Sequence, residues 1–169
     1  YYLLRALQYI VEPKNRTAVH FGLVGGGTEL TSLQAYAKAL GIEDYVTFTG
    51  RVSDQQMLEM LNTADVCVNP DVANEMNDKS TMNKIMEYMA LAKPIVQFDL
   101  SEGRFSAQEA SLYARRNDTK DLAEKILLLL DDQVKRKAMG DFGRNRIITE
   151  LEWKYEEPKL LEAYRLLFL

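Results

Sequence analysis

Ala18-Val19-His20-Phe21-Gly22-Leu23-Val24, running into Gly25-Gly26-Gly27, is the stretch that decides the fold. Seven largely apolar residues make a short strand, the glycines turn the chain, and Leu30, Leu33, Tyr36, Ala37 and Leu40 then recur at helical spacing up to Gly41. Upstream, Tyr2, Leu3, Ala6, Leu7 and Ile10 mark a helix that Pro13 closes. Downstream the unit repeats. Tyr45-Val46-Thr47-Phe48 is β-branched and aromatic, Gly50 turns it, and Ser53 is placed to cap a helix carrying Met57, Leu58 and Leu61. A third strand, Asp65-Val66-Cys67-Val68-Asn69, stops at Pro70. A loop from Asp71 to Lys79, a helix from about Ser80 to Leu91 and a strand Pro94-Ile95-Val96-Gln97-Phe98 follow. The pattern loosens through Ser101–Phe105, and a small strand at Ser111–Ala114 finishes the sheet. Asp118 caps a helix with Leu122, Ile126, Leu127 and Leu130 on one face; a second spans about Asp132 to Glu150, and a third carries Leu160, Leu161, Tyr164, Leu167 and Phe168. Short apolar strands separated by helices imply a parallel sheet buried on both faces. The expected fold is one α/β domain over residues 1–169, a Rossmann-like three-layer sandwich with a mainly parallel sheet.

The chain has 169 residues, 47% hydrophobic and 27% charged, enough for one domain with its own core. Disorder is excluded. Cys67 is the single cysteine, which excludes an intramolecular disulfide framework and a multi-cysteine zinc site. A formal net charge of −4 leaves nucleic acid without a general electrostatic basis; the Lys135, Arg136, Lys137, Arg144 and Arg146 group reads as a solvated face, with peripheral contact to an inner membrane leaflet as its only suggested partner. The longest unbroken apolar runs, Ile126–Leu130 and Tyr88–Ala92, are five residues each, and a spanning helix needs about 20. The sequence opens on Tyr1 with no basic-then-apolar leader and reads as a piece of a longer chain.

In a doubly wound sheet, ligands bind outside the carboxyl ends of the strands, so the loops after Val24, Phe48, Asn69 and Phe98 are the places for chemistry. Gly25, Gly26 and Gly27 allow close backbone approach, but Leu30 breaks the G-x-G-x-x-G spacing and disfavours a nicotinamide enzyme. A methyltransferase using S-adenosylmethionine is an alternative, although the next strand ends Phe48-Thr49-Gly50 without the ribose-binding acid such a site needs. On the helix from Ser80, Met82, Ile85, Met86, Met89 and Ala90 share one side, and Ser80, Lys84 and Glu87 lie opposite. Amides at Ser80, Thr81, Met82 and Asn83 suit a diphosphate, Lys84 adds a charge one turn in, and Glu87 can accept from two ribose hydroxyls. The plainer alternative has Ser80 capping the helix and Lys84 pairing with Glu87. His20 and Cys67, in apolar strands, are expected to be structural.

Read in order, Val24-Gly25-Gly26-Gly27, Leu40 to Val52, Ala64-Asp65-Val66-Cys67-Val68-Asn69-Pro70 and Glu87 to Val96 resemble the C-terminal domain of GT-B glycosyltransferases, and more narrowly the retaining family known as group 1 or family 4. The resemblance runs through nearly the whole chain, including the Asp118–Asp132 helix. It implies a domain that binds a nucleotide-diphosphate sugar, with an N-terminal acceptor domain of the same chain as its partner and a cytoplasmic setting. Glu87 matches the glutamate that holds the donor ribose, Ser80 to Asn83 the segment that receives the diphosphate, and Arg51 and Val52 the loop beside the base. Gly25 to Gly27 match a glycine loop near the nucleotide.

One departure is chemically important. The family pattern carries two glutamates eight positions apart, and eight before Glu87 stands Lys79. Asp78 and Glu75 do not fit the spacing, so no catalytic residue is assigned. Ser80-x-x-x-Lys84-x-x-Glu87-Tyr88-Met89 resembles a subgroup with a lysine inside the motif, and Glu102 to Ala107 resembles the subgroup's sugar-pocket border. No resident cofactor and no metal ligand are expected, since helix amides and Lys84 can face the growing diphosphate charge. The lost carboxylate keeps open a nucleotide-binding scaffold without catalysis. The family's phosphate-binding Arg and Lys flank a first strand ahead of the opening helix, which this sequence does not include, so residues 1–169 alone are not expected to turn over.

Overall fold

The computed structural model describes residues 1–167 and shows an α/β protein. In chain order the elements are α1 (Tyr2–Val11), β1 (Phe21–Val24), α2 (Leu30–Ala39), β2 (Val46–Gly50), α3 (Asp54–Thr63), β3 (Cys67–Asn69), α4 (Glu75–Asp78), α5 (Asn83–Ala90), β4 (Ile95–Phe98), α6 (Ser101–Ala107), β5 (Ser111–Ala114), α7 (Thr119–Asp131), α8 (Gln133–Arg146) and α9 (Trp153–Leu167). Every strand pairing is parallel: β1 with β2, β3 with β4, and β4 with β5. The layering follows from the strand period. In β4, Ile95 packs with Ile85 and Met89 of α5 on one face, whereas Val96 and Phe98 join Leu4, Leu7 and Ile10 of α1 and Leu122 and Ile126 of α7 on the other.

Local signals act as expected at two helix starts. Ser53 forms a capping box with Gln56, accepting from the Gln56 amide while the Gln56 side chain accepts from the Ser53 amide. Asp118 accepts from the amides of Lys120 and Asp121 at the start of α7, and these bonds hold its carboxyl below the usual range.

Four expectations need correction. The single sheet is two: β1–β2 and β3–β4–β5 are not hydrogen-bonded to each other, and residues of both β1 and β3 line one cavity of about 590 Å³. The helix expected from Ser80 starts at Asn83, with Met82 extended before it; Ser80 instead closes the one-turn α4, its amide donating to Asn77 O and its hydroxyl to Met76 O. Ser101–Phe105, expected to be loose, is helical in α6 because Asp78 caps its first turn from outside, accepting from the Ser101 amide at 2.9 Å and hydroxyl at 3.0 Å. The helix expected to Glu150 ends at Arg146 and continues as a wider π turn through Ile147–Leu151, where buried Arg146 donates to Ser106 O and Phe105 O.

Two glycines set how closely α8 lies on α5 and the turn after it. A Cβ on Gly140 would sit 2.1 Å from Ala92 O, and one on Gly143 would sit 3.0 Å from Ala110 Cβ and 3.2 Å from Met89 Cγ. The last helix, α9, contains Pro158 and buries none of its described residues, leaving Trp153 and Tyr164 exposed. Phe168, expected on the same helix, lies outside the described residues. Among the described residues no helix is long and apolar enough to cross a membrane.

Candidate functional site

The expected residues lie in the segments that follow the strands: Gly25 to Gly27 after β1, Arg51 and Val52 after β2, and Ser80 to Glu87 between β3 and β4. After β1, Gly25 takes φ +126° and donates its amide to Gly50 O at 2.9 Å, while Gly50 itself has φ +64°. Such angles favour glycine. A Cβ on Gly26 would stand 3.5 Å from the Arg51 amide nitrogen, so the two loops back onto each other. Gly27 O accepts from the Leu30 amide at the start of α2. The glycine loop therefore has a structural role in joining the ends of β1 and β2. Arg51 is exposed beside it, and Val52 is half-buried.

At the end of β3 the chain runs from buried Asn69 through Pro70 to Asp71. Asp71 Oδ2 lies 2.8 Å from Lys84 Nζ in α5, off the line a hydrogen bond requires, so the contact is ionic. Sequence spacing had offered Glu87 as the lysine's partner. The partner is instead a residue 13 positions earlier, brought near by the β3–α5 connection. Glu87, one turn beyond Lys84, is exposed. Its carboxylate has no hydrogen bond or ion pair among the described residues, and it lines the 590 Å³ cavity with Lys84, Tyr88, His20, Gly22 and Val24. Glu87 and Lys84 thus meet at one cavity. Gly25, Gly26, Gly27, Arg51, Val52, Ser80, Thr81, Met82 and Asn83 are not in its wall.

The segment before α5 is held from the side of α6. Thr81 donates its hydroxyl to Glu102 Oε1 at 2.8 Å. The amides of Thr81, Met82, Asn83 and Lys84 make no hydrogen bond among the described residues. A helix start with free amides is an anion-favouring locus. Neither acidic neighbour of the departed glutamate position is free to replace it. Lys79 is exposed and pairs with Glu75 at 2.8 Å, while Asp78 holds the α6 start and also pairs with Arg116 at 2.8 Å. The amide of Ser101 is the leading cause of an Asp78 carboxyl below its usual range.

Two polar side chains that sequence reasoning missed lie nearby. Asn69 and Gln97 stand opposite each other in the β3–β4 register, both 1% exposed. Their side-chain oxygens have no partner among the described residues. Gln97 Nε2 donates to Gly103 O at 3.3 Å, and a Cβ on Gly103 would come within 2.5 Å of Gln97 Oε1. Carboxamides inside apolar strands carry no periodicity that would single them out. His20, expected within an apolar strand, is exposed just ahead of β1, with Nε2 2.8 Å from Thr47 Oγ1 of β2. Cys67 is buried, and desolvation pushes its thiol up to about 12, which leaves it unreactive near neutral pH. Tyr88 is likewise raised by burial. Among the described residues no group of three or more His, Cys, Asp or Glu is arranged to hold a metal ion.

Comparison with known proteins follows the same line. The family model described as glycosyl transferases group 1 matches residues 1–132. A GDP-mannose-dependent monoacylated alpha-(1-6)-phosphatidylinositol monomannoside mannosyltransferase of Corynebacterium glutamicum is 26% identical over 157 residues, 91% of this chain and 40% of the relative. A GDP-mannose-dependent alpha-(1-6)-phosphatidylinositol monomannoside mannosyltransferase of Mycobacterium tuberculosis is 26% identical over 147 residues, 85% of this chain and 38% of the relative. The chain spans about two fifths of the curated relatives it matches. Among solved structures, sucrose-phosphate synthase from Thermosynechococcus elongatus superposes with a TM-score of 0.84 at 23% identity, covering 99% of this chain and 41% of that one. S. aureus TarM, in a complex that includes UDP, gives 0.82 at 21% identity, covering 95% and 31%.

Proposed function

The chain belongs to the group 1 glycosyl transferases, and on that premise we propose that it is the donor-binding, C-terminal half of a retaining GT-B enzyme. The substrate is a nucleotide-diphosphate sugar, and the acceptor is a glycan or glycoconjugate held by a second domain of the same polypeptide. The observation that carries this reading is that Lys84 and Glu87, one helical turn apart, line the same cavity as residues of β1 and β3. One turn of helix sets the two side chains about 5–6 Å apart at Cβ. That spacing suits a ligand with an anion at one end and a vicinal diol next to it.

The chemistry divides among named groups. The diphosphate lies toward the free amides of Asn83 and Lys84 and takes the Lys84 ammonium from Asp71, exchanging one carboxylate partner for a more highly charged one. Glu87 accepts hydrogen bonds from the ribose hydroxyls. In transfer, the bond from the anomeric carbon to the diphosphate oxygen breaks, a bond from the acceptor oxygen forms on the same face, and the acceptor proton leaves with the diphosphate. Negative charge grows on the leaving oxygen, where prearranged donors lower the barrier. The family's membership of sugar-transferring enzymes supports this reading over an S-adenosylmethionine methyltransferase. A second reading, a donor-binding scaffold without transfer, draws support from Lys79, which is exposed and paired with Glu75 where the family pattern carries a glutamate.

The test uses the full-length protein. GDP-mannose, the donor in the names of the mannosyltransferase relatives, and UDP- and ADP-linked sugars are titrated calorimetrically and assayed for sugar transfer with the anomeric configuration read by NMR. Binding with transfer and retained configuration is the expected result. Binding without transfer or hydrolysis supports the scaffold, and no binding of any nucleotide sugar at millimolar concentration overturns both.

A further inference from the structure

The chain passes from β3 to α4 through Pro70 to Asn74, and Asp71, the ion-pair partner of Lys84, stands near the start of that stretch. The stretch has no ladder or helix of its own. Asp71, Val72 and Ala73 make no backbone–backbone hydrogen bond among the described residues, so side chains must take up the backbone groups that are withdrawn from water. Carboxamides do so. Asn117, 44 positions after Ala73 and in the turn between β5 and α7, accepts from the Ala73 amide at 2.8 Å and donates to Ala73 O at 3.1 Å. Asn77 Nδ2 donates to Val72 O at 2.8 Å, and Asn74 Oδ1 accepts from the Asn77 amide at 2.8 Å. Of these three carboxamides, only Asn117 reaches the stretch from a distant part of the chain.

The turn that carries Asn117 is itself well anchored. The Arg115 amide donates to Asp121 Oδ2 at 2.7 Å, the Asp118 amide donates to Arg115 O at 3.0 Å, and α7 beyond it buries Leu122 and Ile126 in the core. Asn117 takes φ +58° there, a left-handed conformation that asparagine tolerates and glycine adopts freely. Its neighbour Arg116 donates from Nε to Asp99 O and from Nη2 to Asp78 Oδ1, each at 2.8 Å. The same turn therefore grips the β3–α5 connection twice, at Ala73 and at Asp78. Asp71 lies just ahead of the first grip, and Lys84 follows the second.

We propose that Asn117 is a positioning residue for Lys84. By fixing Ala73 it fixes Asp71 two positions earlier, and Asp71 holds the Lys84 ammonium in one place instead of leaving a long stem to sample its rotamers. Ordering such a side chain during association weakens binding; here the ordering precedes the ligand. The effect on diphosphate affinity rests on the donor-site reading of Lys84. The effect on Lys84 itself does not.

The test compares the full-length protein with its Asn117→Gly variant, which keeps the left-handed backbone accessible and removes only the carboxamide. Without nucleotide, acetylation of Lys84 by limiting acetic anhydride, read by peptide mass spectrometry, should run about two- to fivefold faster in the variant, the span that fits loss of a partly exposed ion pair. With GDP or UDP, the calorimetric Kd should rise about three- to tenfold, the effect of one long side chain no longer ordered in advance. The same substitution in a Lys84→Gln background should move Kd by less than about twofold, because a residue that acts through Lys84 then has nothing to position. Ala37→Gly, which weakens the fold within α2, should alter neither readout. An unchanged acetylation rate overturns the proposal. So does an equal rise in Kd in both backgrounds, or a matching change in Ala37→Gly, since either would mean that Asn117 only stabilises the fold. If the parent binds no nucleotide, the donor-site reading fails, and the acetylation rates still decide this one.

Discussion

Replacing Glu87 with Gln removes one negative charge from a side chain that is exposed and has no hydrogen bond or ion pair among the described residues. The fold should barely register the change, within about 0.5 kcal/mol, since no packed or bonded partner is lost. Donor binding should register it clearly. A hydrogen bond to a charged group is worth about 1.5–3 kcal/mol, and the amide keeps one accepting oxygen, so the lower end of that range applies. That is roughly a tenfold rise in Kd. The assay is calorimetric titration of the full-length protein and its Glu87→Gln variant with GDP and with 2′-deoxy-GDP. If the carboxylate holds the ribose, removing the 2′-hydroxyl and removing the charge act on the same interaction. The variant should then lose roughly tenfold with GDP but about threefold or less with the deoxy ligand, because coupled groups are not additive. Equal losses with both ligands would refute the ribose assignment, and so would an unchanged Kd with GDP.

Two further outcomes test how the site is held. Gly140→Ala places a methyl 2.1 Å from Ala92 O and 2.8 Å from Ala92 C, backbone atoms that cannot rotate away, so it should cost about 3 kcal/mol by overpacking. Gly103→Ala meets only the end of the Gln97 side chain and should cost less, an order that urea denaturation can check. Asp78 has its folded pKa below the ordinary 3.8, first because the Ser101 amide bonds the carboxylate. Its contribution is therefore present above that value and lost as pH falls through the lower folded one. Asp78→Asn should flatten the acid limb of the stability curve below about pH 4, read from urea midpoints at successive pH values, and leave the neutral-to-alkaline side parallel to that of the parent.

What the sequence disclosed follows the range of its signals. The glycine turn after β1, the Ser53 cap and the Asp118 cap are local arrangements, complete within a few residues, and each is found where it was expected. Ser80 misleads because two local roles compete for it. Its hydroxyl bonds backward to Met76 O, as serine often does in a helical turn, and that closes α4 rather than opening α5. Lys84 shows the same limit at longer range. Helical spacing offers Glu87, but the β3 end delivers Asp71 at 2.8 Å, and nothing in the interval between them announces the pairing. α6 escaped notice because its first turn is capped by Asp78, 23 residues earlier.

The split sheet is the most instructive of these differences, because strand patterns describe what a segment needs on its faces and say nothing of its edges. Val66, Cys67 and Val68 read as a buried strand, and on their faces they are nearly that, with Cys67 only 5% exposed. Face burial and edge pairing are separate requirements, the first met by side chains and the second by backbone groups. β3 meets the second on one edge only. The residues proposed to hold the donor sit near that unmet edge, since Lys84 and Glu87 share a cavity with Val66 and Val68. A switch point in a parallel sheet forms a crevice because neighbouring strands there send their connections to opposite faces. Here β2 and β3 are joined through α3, and both α1 and α3 contribute residues to the cavity wall. The break between the two sheets therefore coincides with the cavity at which Lys84 and Glu87 stand.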